Sequence, residues 1–356
     1  MAPPTFRLLD TGINDGRWNV ALDQVLIDAH RAGQAPDTLR FLRFTPSVLV
    51  GRHQDLSREI DVDYCARHGI DVGRRVTGGG ALYLDPQQLG WELVCTRAAL
   101  GGGSLGKLAE RICSAAAAGL SRLGIDARFR PRNDIEVDGR KIGGTGGFFD
   151  GDTLFYQGTV LGEVDTEVMF RALRVPGAKR ARHAGAAPAA RVTSLAEACG
   201  GRAPAALAVM AALTAGFCDA FGIEVAEGML DEREARAVAA SYRDDIGSAA
   251  FVHDIDQPGA GDGILSATRD TAGGLVEVHL KLAGKPPRIA SIVISGDFFV
   301  TPPRVVFDLE SALRDTPLAA LEANVAAFLA SAGVQTLSLA ADDLIGAIRA
   351  AAERDG

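Results

Sequence analysis

Five lysines stand among the 37 basic residues of this chain, and one of them, Lys141, lies inside a glycine-rich stretch. Before it come Arg132-Asn133-Asp134 and an Asp138-Gly139 pair; after it comes Ile142-Gly143-Gly144-Thr145-Gly146-Gly147. The Asp-Gly pair predicts a tight hairpin that delivers Lys141 to the edge of a glycine loop. A compact ammonium there makes a point contact that the planar guanidinium of arginine does not reproduce. Asn133 and Asp134 offer an amide for phosphate and a carboxylate for a hard cation such as Mg²⁺. A second stretch reads Arg74-Arg75-Val76-Thr77-Gly78-Gly79-Gly80-Ala81-Leu82-Tyr83. Three successive glycines admit a ligand close to the backbone and aim N–H groups at an anion, and the arginine pair adds positive charge. A third, Tyr156-Gln157-Gly158-Thr159-Val160-Leu161, is by itself a strand carrying small polar groups. The spacings GxxxxGK[ST] and GxGxxG of the two commonest nucleotide loops are absent from the triple-glycine stretch.

Regular elements must carry these pieces. Apolar spacing predicts a helix over 17–33, ended by glycine, and another over 104–124 with Ser104 as its cap and Gly124 as its stop. Strands are predicted at 39–44, 47–51, 89–96, 125–130, 133–137 and 153–161, and a short helix at 61–69. The small, basic, turn-rich segment 176–190 predicts a surface loop, and a helix-rich stretch follows over 203–240. A change of pattern near 243–250 divides the chain into a larger unit, 1–245, and a smaller α+β unit, 250–356. The smaller one has a hairpin over 276–296 and helices over 306–331 and 341–353.

The 356 residues, 47% hydrophobic and 23% charged, predict a globular protein and exclude wholesale disorder. No apolar run reaches the roughly 18 residues of a membrane span. The opening residues lack the pattern of a secretory signal, so a cytoplasmic protein is expected, with no membrane partner. A net charge of −8 disfavours nucleic acid as a partner. Five scattered cysteines with no CxxC read as reduced thiols rather than a disulfide framework or a zinc site.

In this order the three stretches resemble the lipoate–protein ligase family, within the wider biotin/lipoate ligase superfamily. That family's pattern runs RRxSGGGAVxHD, then RNDxxxxGxKxSGSA, then HHGTLL. Ala21-Leu22-Asp23-Gln24 and Val50-Gly51-Arg52-His53-Gln54 resemble its first helix and strand, so the likeness spans about 17–225. The segment 294–315, with Gly296-Asp297-Phe298, resembles the accessory domain of bacterial lipoate ligases.

The resemblance implies an α+β fold: a mixed-sheet catalytic domain and a small α+β C-terminal domain. It implies that ATP and Mg²⁺ activate lipoate or octanoate as an acyl-adenylate. The acyl group then passes to a lysine of a lipoyl carrier domain, in a 2-oxoacid dehydrogenase E2, a glycine cleavage H protein or another lipoate-binding protein. Lys141 would then be catalytic, at the carboxyl–phosphate junction. Arg74, Arg75, Thr77, Gly78, Gly79, Gly80, Ala81, Tyr83, Asn133, Asp134, Gly144, Thr145, Gly158 and Thr159 would bind substrate or nucleotide, with Mg²⁺ at Asp134. An apolar slot for the acyl chain is expected, because burial contributes about 0.8 kcal/mol per CH₂. Leu84 and Gln157 stand where the family has histidines, and Gly143 and Gly146 where it has small Ser or Ala residues. The alternatives are an octanoyl- or lipoyltransferase of the same fold, acting through a cysteine, and a lipoate- or biotin-binding protein without activity. No cysteine lies between Cys113 and Cys199 to serve the former.

Overall fold

The computed structural model describes residues 3–174, 191–331, 334–336 and 339–355. The expected surface loop at 176–190 lies outside them. The first strands are β1 (Thr5–Asn14), β2 (Thr38–Phe44), β3 (Ser47–Val50), β4 (Asp71–Arg74), β5 (Leu82–Leu84) and β6 (Gln88–Thr96). They continue with β7 (Ala127–Arg130), β8 (Asp134–Val137), β9 (Arg140–Asp150), β10 (Thr153–Leu161) and β11 (Glu224–Glu227). Eight of these form one sheet in the order β11-β1-β2-β6-β10-β9-β8-β7, while β4-β3-β5 form a small second sheet. The large sheet is mixed: β11, β1 and β2 run parallel, and β2, β6, β10, β9, β8 and β7 pair antiparallel.

Strand alternation sends successive residues of the sheet to opposite layers. Trp91, Leu93, Cys95 and Tyr156 pack under the helices Leu105–Ser121 and Ala206–Phe221. Those helices touch backbone to backbone, since a methyl on Gly216 would lie 2.4 Å from the Ala115 carbonyl oxygen. Leu42, Phe44, Val94 and Phe155 face the other way, toward the helix Gly16–Arg31. Asp15 caps that helix by accepting from the Trp18 N–H. Strands β1 and β11 appear in no sequence pattern; β1 carries a register shift between Asp10 and Ile13 that breaks its alternation.

The C-terminal part is a three-stranded antiparallel sheet of β12 (Leu265–Thr271), β13 (Gly274–Ala283) and β14 (Arg288–Gly296), followed by the short pair β15 (Val300–Thr301) and β16 (Gln335–Thr336). Its core draws on residues from Ala267 to Ala352. Phe251 and Val252 still pack in the N-terminal cores, so the chain crosses between the two cores over 253–264. The helix expected over 306–331 is two, Val305–Leu313 and Leu321–Ser331. Asp315, at φ +58°, and Pro317 interrupt it, because neither continues a right-handed turn.

The two parts meet through specific contacts. The Gly296 N–H donates to the His53 carbonyl oxygen at 2.9 Å, and the Thr301 hydroxyl both accepts from the Phe149 N–H and donates to its carbonyl oxygen. Arg52 lies over the Phe251 and Phe307 rings and pairs with Asp254 at 2.7 Å. His53 stacks on Phe298; burial, with Arg52 and Arg74 nearby, pushes it down to about 3, so this joint is neutral at its imidazole.

Candidate functional site

The strand register puts Arg40 of β2 opposite Glu92 of β6, Glu92 opposite Gln157 of β10, and Gln157 opposite Gly146 of β9. This row faces the helix Gly16–Arg31, and its Glu92, Gln157 and Gly146 form the floor of a cavity of about 290 Å³. The glycine loop 78–80 closes one side, and the turn carrying Asn133, Asp134 and Lys141 closes another. Val20, Leu42, Phe44, Leu49, Leu82 and Leu84 make apolar walls.

Lys141 reaches this cavity because Gly144 leaves room for it. A methyl on Gly144 would lie 2.7 Å from the Lys141 Nζ and 2.9 Å from its Cε. The ammonium pairs with Asp134 Oδ1 at 2.7 Å, and Arg130 holds Asp134 Oδ2 at the same distance. Burial pushes the Asp134 carboxyl up, but Lys141 and Arg130 more than offset it and leave it below the usual carboxylate range. Thr145 is fixed from several sides. Its hydroxyl donates to the Asn133 carbonyl oxygen at 2.9 Å and lies 2.7 Å from the Tyr156 hydroxyl, while the Asn133 amide donates to the Thr145 carbonyl oxygen.

Arg75 shapes the opposite loop. Buried, it donates to the carbonyl oxygens of Leu49, Gly78 and Gly80 at 3.0, 2.9 and 3.0 Å. Burial lowers it to about 10, so the guanidinium stays charged at neutral pH. The Gln157 amide donates to the Thr77 hydroxyl at 2.7 Å, tying the loop to the sheet floor. Phe299, from the turn between β14 and β15, enters between the two glycine stretches. Methyl groups on Gly79 and Gly146 would meet its ring at 2.5 and 2.3 Å. Gly79 has φ +90°, a conformation glycine adopts freely.

Arg75, Thr77, Gly78, Gly79, Gly80, Asn133, Asp134, Lys141, Gly144, Thr145, Gly158 and Thr159 all line this one cavity. Arg74, Ala81 and Tyr83 do not. Arg74 ends β4 pointing away and is spent on backbone carbonyls; Tyr83 alternates with the cavity-facing Leu82 and Leu84 and packs in a separate core. Sequence reasoning passed over Asn19, Asp23, Glu92 and Phe299, which also line it. Asp23 lay in the quoted Ala21–Gln24 stretch and Phe299 directly after the quoted Gly-Asp-Phe turn. Glu92 carried no signal without the register.

The residues around Asp134 do not fit a resident metal. Both of its oxygens are engaged by cations, and no group of three His, Cys, Asp or Glu side chains among the described residues is arranged to hold one. No cysteine lines the cavity. Cys113 lies beneath it, 3.2 Å from the Thr145 hydroxyl, and burial pushes its thiol up, away from a reactive thiolate. Among the described residues no helix is long and apolar enough to cross a membrane.

Residues 15–218 match the model of the lipoyl protein ligase A/B catalytic domain. The chain is 31% identical to octanoyltransferase LipM of Symbiobacterium thermophilum over 252 residues, covering 64% of this chain and 91% of that protein. It is 32% identical to lipoate-protein ligase LplJ of Bacillus subtilis over 163 residues, 46% of this chain and 47% of the relative. Among solved structures, P. falciparum LipL1 in complex with lipoate aligns with a TM-score of 0.69 at 16% identity, over 92% of this chain and 94% of that one, a likeness of fold.

Proposed function

The chain belongs to the lipoyl protein ligase A/B catalytic family, an enzyme family of lipoate ligases and transferases, and from that premise we propose that it is an ATP-dependent, AMP-forming ligase. In this reading it activates a medium-chain acid, lipoate or octanoate, as the acyl-adenylate and transfers the acyl group to a lysine of a lipoyl carrier domain. The observation that carries the reading is a cavity with a fixed ammonium beside two glycine stretches and no thiol.

The residues have separable tasks. A carboxylate oxygen of the acid attacks the α-phosphorus of ATP, and pyrophosphate leaves. Lys141 lies where negative charge accumulates during that step, already held by Asp134 and therefore needing little reorganisation. The backbone N–H groups of Gly78 and Gly80, in the loop that Arg75 holds open, suit the phosphates, while that of Gly79 donates to the Phe298 carbonyl oxygen at 3.2 Å. In the second step a carrier lysine amine attacks the acyl carbon, AMP leaves with the bonding pair, and the amine's proton passes to solvent. Phe299 and the apolar walls keep water from competing for the adenylate. Mg²⁺ accompanying ATP would be held by the phosphates and would neutralise their charge, since both Asp134 oxygens are engaged by Lys141 and Arg130.

The transferase reading draws on the similarity to an octanoyltransferase, and it requires an acyl-thioester on a cysteine. Exchange of labelled pyrophosphate into ATP separates the two. The ligase reading expects acid-dependent exchange that survives Cys113→Ala. Acyl transfer from a carrier thioester without ATP, with a cysteine-bound intermediate trapped on this protein, would replace it with the transferase.

Gly144→Ala supplies a second check. Its methyl displaces the Lys141 tip, a flexible side chain, so a misplacement rather than a loss of the ammonium is expected. We expect single-turnover adenylation to slow by about tenfold, or up to about 10²-fold for a displacement near 1 Å, with an unchanged thermal melt. An unaltered rate would show that the lysine tip need not sit where it does.

A further inference from the structure

Lys141 lies where the sheet ladder around β9 is interrupted on both edges. Toward β8 the register shifts: Glu136 faces Lys141 and Ile135 faces Gly143, so Ile142 is the extra residue of a bulge. Toward β10 the pairing runs only as far as Thr145. A bulge re-aims a neighbouring side chain, but it leaves the local backbone with fewer ladder bonds to fix it. The stretch that carries the ammonium therefore needs support from outside the sheet.

A short segment supplies it. Lys141 pairs parallel with Val192, and its carbonyl oxygen accepts from the Thr193 N–H at 2.8 Å. The next residues form a one-turn helix, Leu195–Ala198, capped by the Ser194 hydroxyl. Buried Leu195 roots that helix in the core shared with Trp91 and Tyr156, and the Ala196 N–H donates to the Gly162 carbonyl oxygen at 2.9 Å. From this anchored turn Glu197 reaches back to both partners of the pairing. Its Oε1 pairs with Arg140 Nη1 at 2.6 Å, and its Oε2 accepts from the Thr193 hydroxyl at 3.1 Å. Arg140 directly precedes Lys141, and side chains alternate along a strand, so one turns to Glu197 and the other to the cavity. The bonds from Arg140 and Thr193 hold the Glu197 carboxyl below the usual carboxylate range, so it stays an anion at neutral pH.

We propose that Glu197 is a positioning residue for Lys141: by joining Arg140 to Thr193 it fixes the bulged backbone on which the ammonium is mounted, and so sets the tip over Gly144 and beside Asp134. This rests on the acyl-activating reading above and adds to it a residue that does not line the cavity. The tolerance is tight, because a reacting group misplaced by about 1 Å through a change far from the chemistry loses up to about 10² in rate. Glu197 is itself 55% exposed, so its ion pair shifts the held conformer by no more than about fivefold.

Glu197→Ala in the full chain tests this with two readouts. Competitive acetylation, followed at Lys141 by peptide mass spectrometry, reports how the ammonium is held without any turnover. An amine released from Asp134 loses its proton more readily, so acetylation should be about three- to fivefold faster in the variant. Single-turnover adenylation should slow by a similar factor, with the dissociation constants for octanoate and ATP and the thermal melt unchanged. Glu197→Gln keeps an acceptor, should lie between the two, and serves if the alanine variant does not fold. In the Lys141→Ala background, adding Glu197→Ala should cost nothing further, since nothing is left to position. Unchanged acetylation of Lys141 in the folded Glu197 variants, or an adenylation loss that persists undiminished in the Lys141→Ala background, overturns the proposal and leaves the ligase reading standing. Absence of acid-dependent adenylation in wild type overturns that reading instead, and acetylation still decides whether Glu197 holds Lys141.

Discussion

Lys141→Ala is expected to fold normally and to lose about 10²–10³-fold in single-turnover adenylation, the cost of removing one preorganised donor from a developing anion. Lys141→Arg should fail nearly as badly. Gly144 leaves space for a compact tip only, and a planar guanidinium cannot enter beside its Cα while keeping the contact to Asp134 Oδ1. Stability should hardly change, because the Lys141 side chain is 34% exposed and exposed ion pairs contribute about 0–1 kcal/mol, while Arg130 continues to hold Asp134. Transfer from pre-made acyl-adenylate, measured separately, should fall as well, since the same ammonium polarises the mixed anhydride. Rapid-quench measurement of both half-reactions, beside a thermal melt, decides the matter. A folded Lys141→Ala protein with near-normal rates would exclude the lysine from the chemistry and favour a binding protein without turnover.

Arg74→Ala is expected to do the reverse, damaging the fold rather than the chemistry. The Arg74 side chain is buried and donates to six backbone carbonyl oxygens. Those of Gly51, Arg52 and Gln54 lie in one loop, and those of Phe251, Val252 and Ile255 in the segment leading to the C-terminal part. Burial lowers the guanidinium to about 10, so it clasps these groups as a cation. Truncation leaves several buried acceptors without donors, at about 1–3 kcal/mol each. A total loss above about 3 kcal/mol is expected, read as a lowered Tm and as faster proteolysis within 253–264. Arg74→Lys should rescue little, because one ammonium cannot reach carbonyls on both segments. A melt indistinguishable from wild type, combined with weakened ATP binding, would return Arg74 to the nucleotide site where the sequence pattern placed it.

That contrast between neighbouring arginines marks how far the chain's pattern could be read. Lys141, Thr77 and the two glycine stretches were legible because their chemistry is local: a short turn brings a cation and open backbone together whatever surrounds them. The long helices were legible for the same reason, since Ser104 and the glycines after each helix act within one turn. The division of labour between Arg74 and Arg75 was not, although they are adjacent. It depends on which side of β4's end faces the cavity. Tyr83 and Leu82 part company for that reason too.

The amino-acid sequence alone determined the family, the order of the motifs and the glycines that admit a ligand, because each is set by neighbours within a few residues. Tertiary structure decided the character of the site. Glu92 meets Arg40 through the register of β2 and β6, and Gln157 through that of β6 and β10. A slip of one residue would turn every one of these side chains to the opposite layer. Asp23 joins them only once its helix lies over that face, and Phe299 reaches Gly79 and Gly146 only when the C-terminal part is docked. Contacts between residues 17 to more than two hundred positions apart are closed by packing, and packing leaves no trace in local spacing. The walls of the slot could be foreseen as apolar from the hydrophobic strands. Its acidic end required the sheet to be assembled.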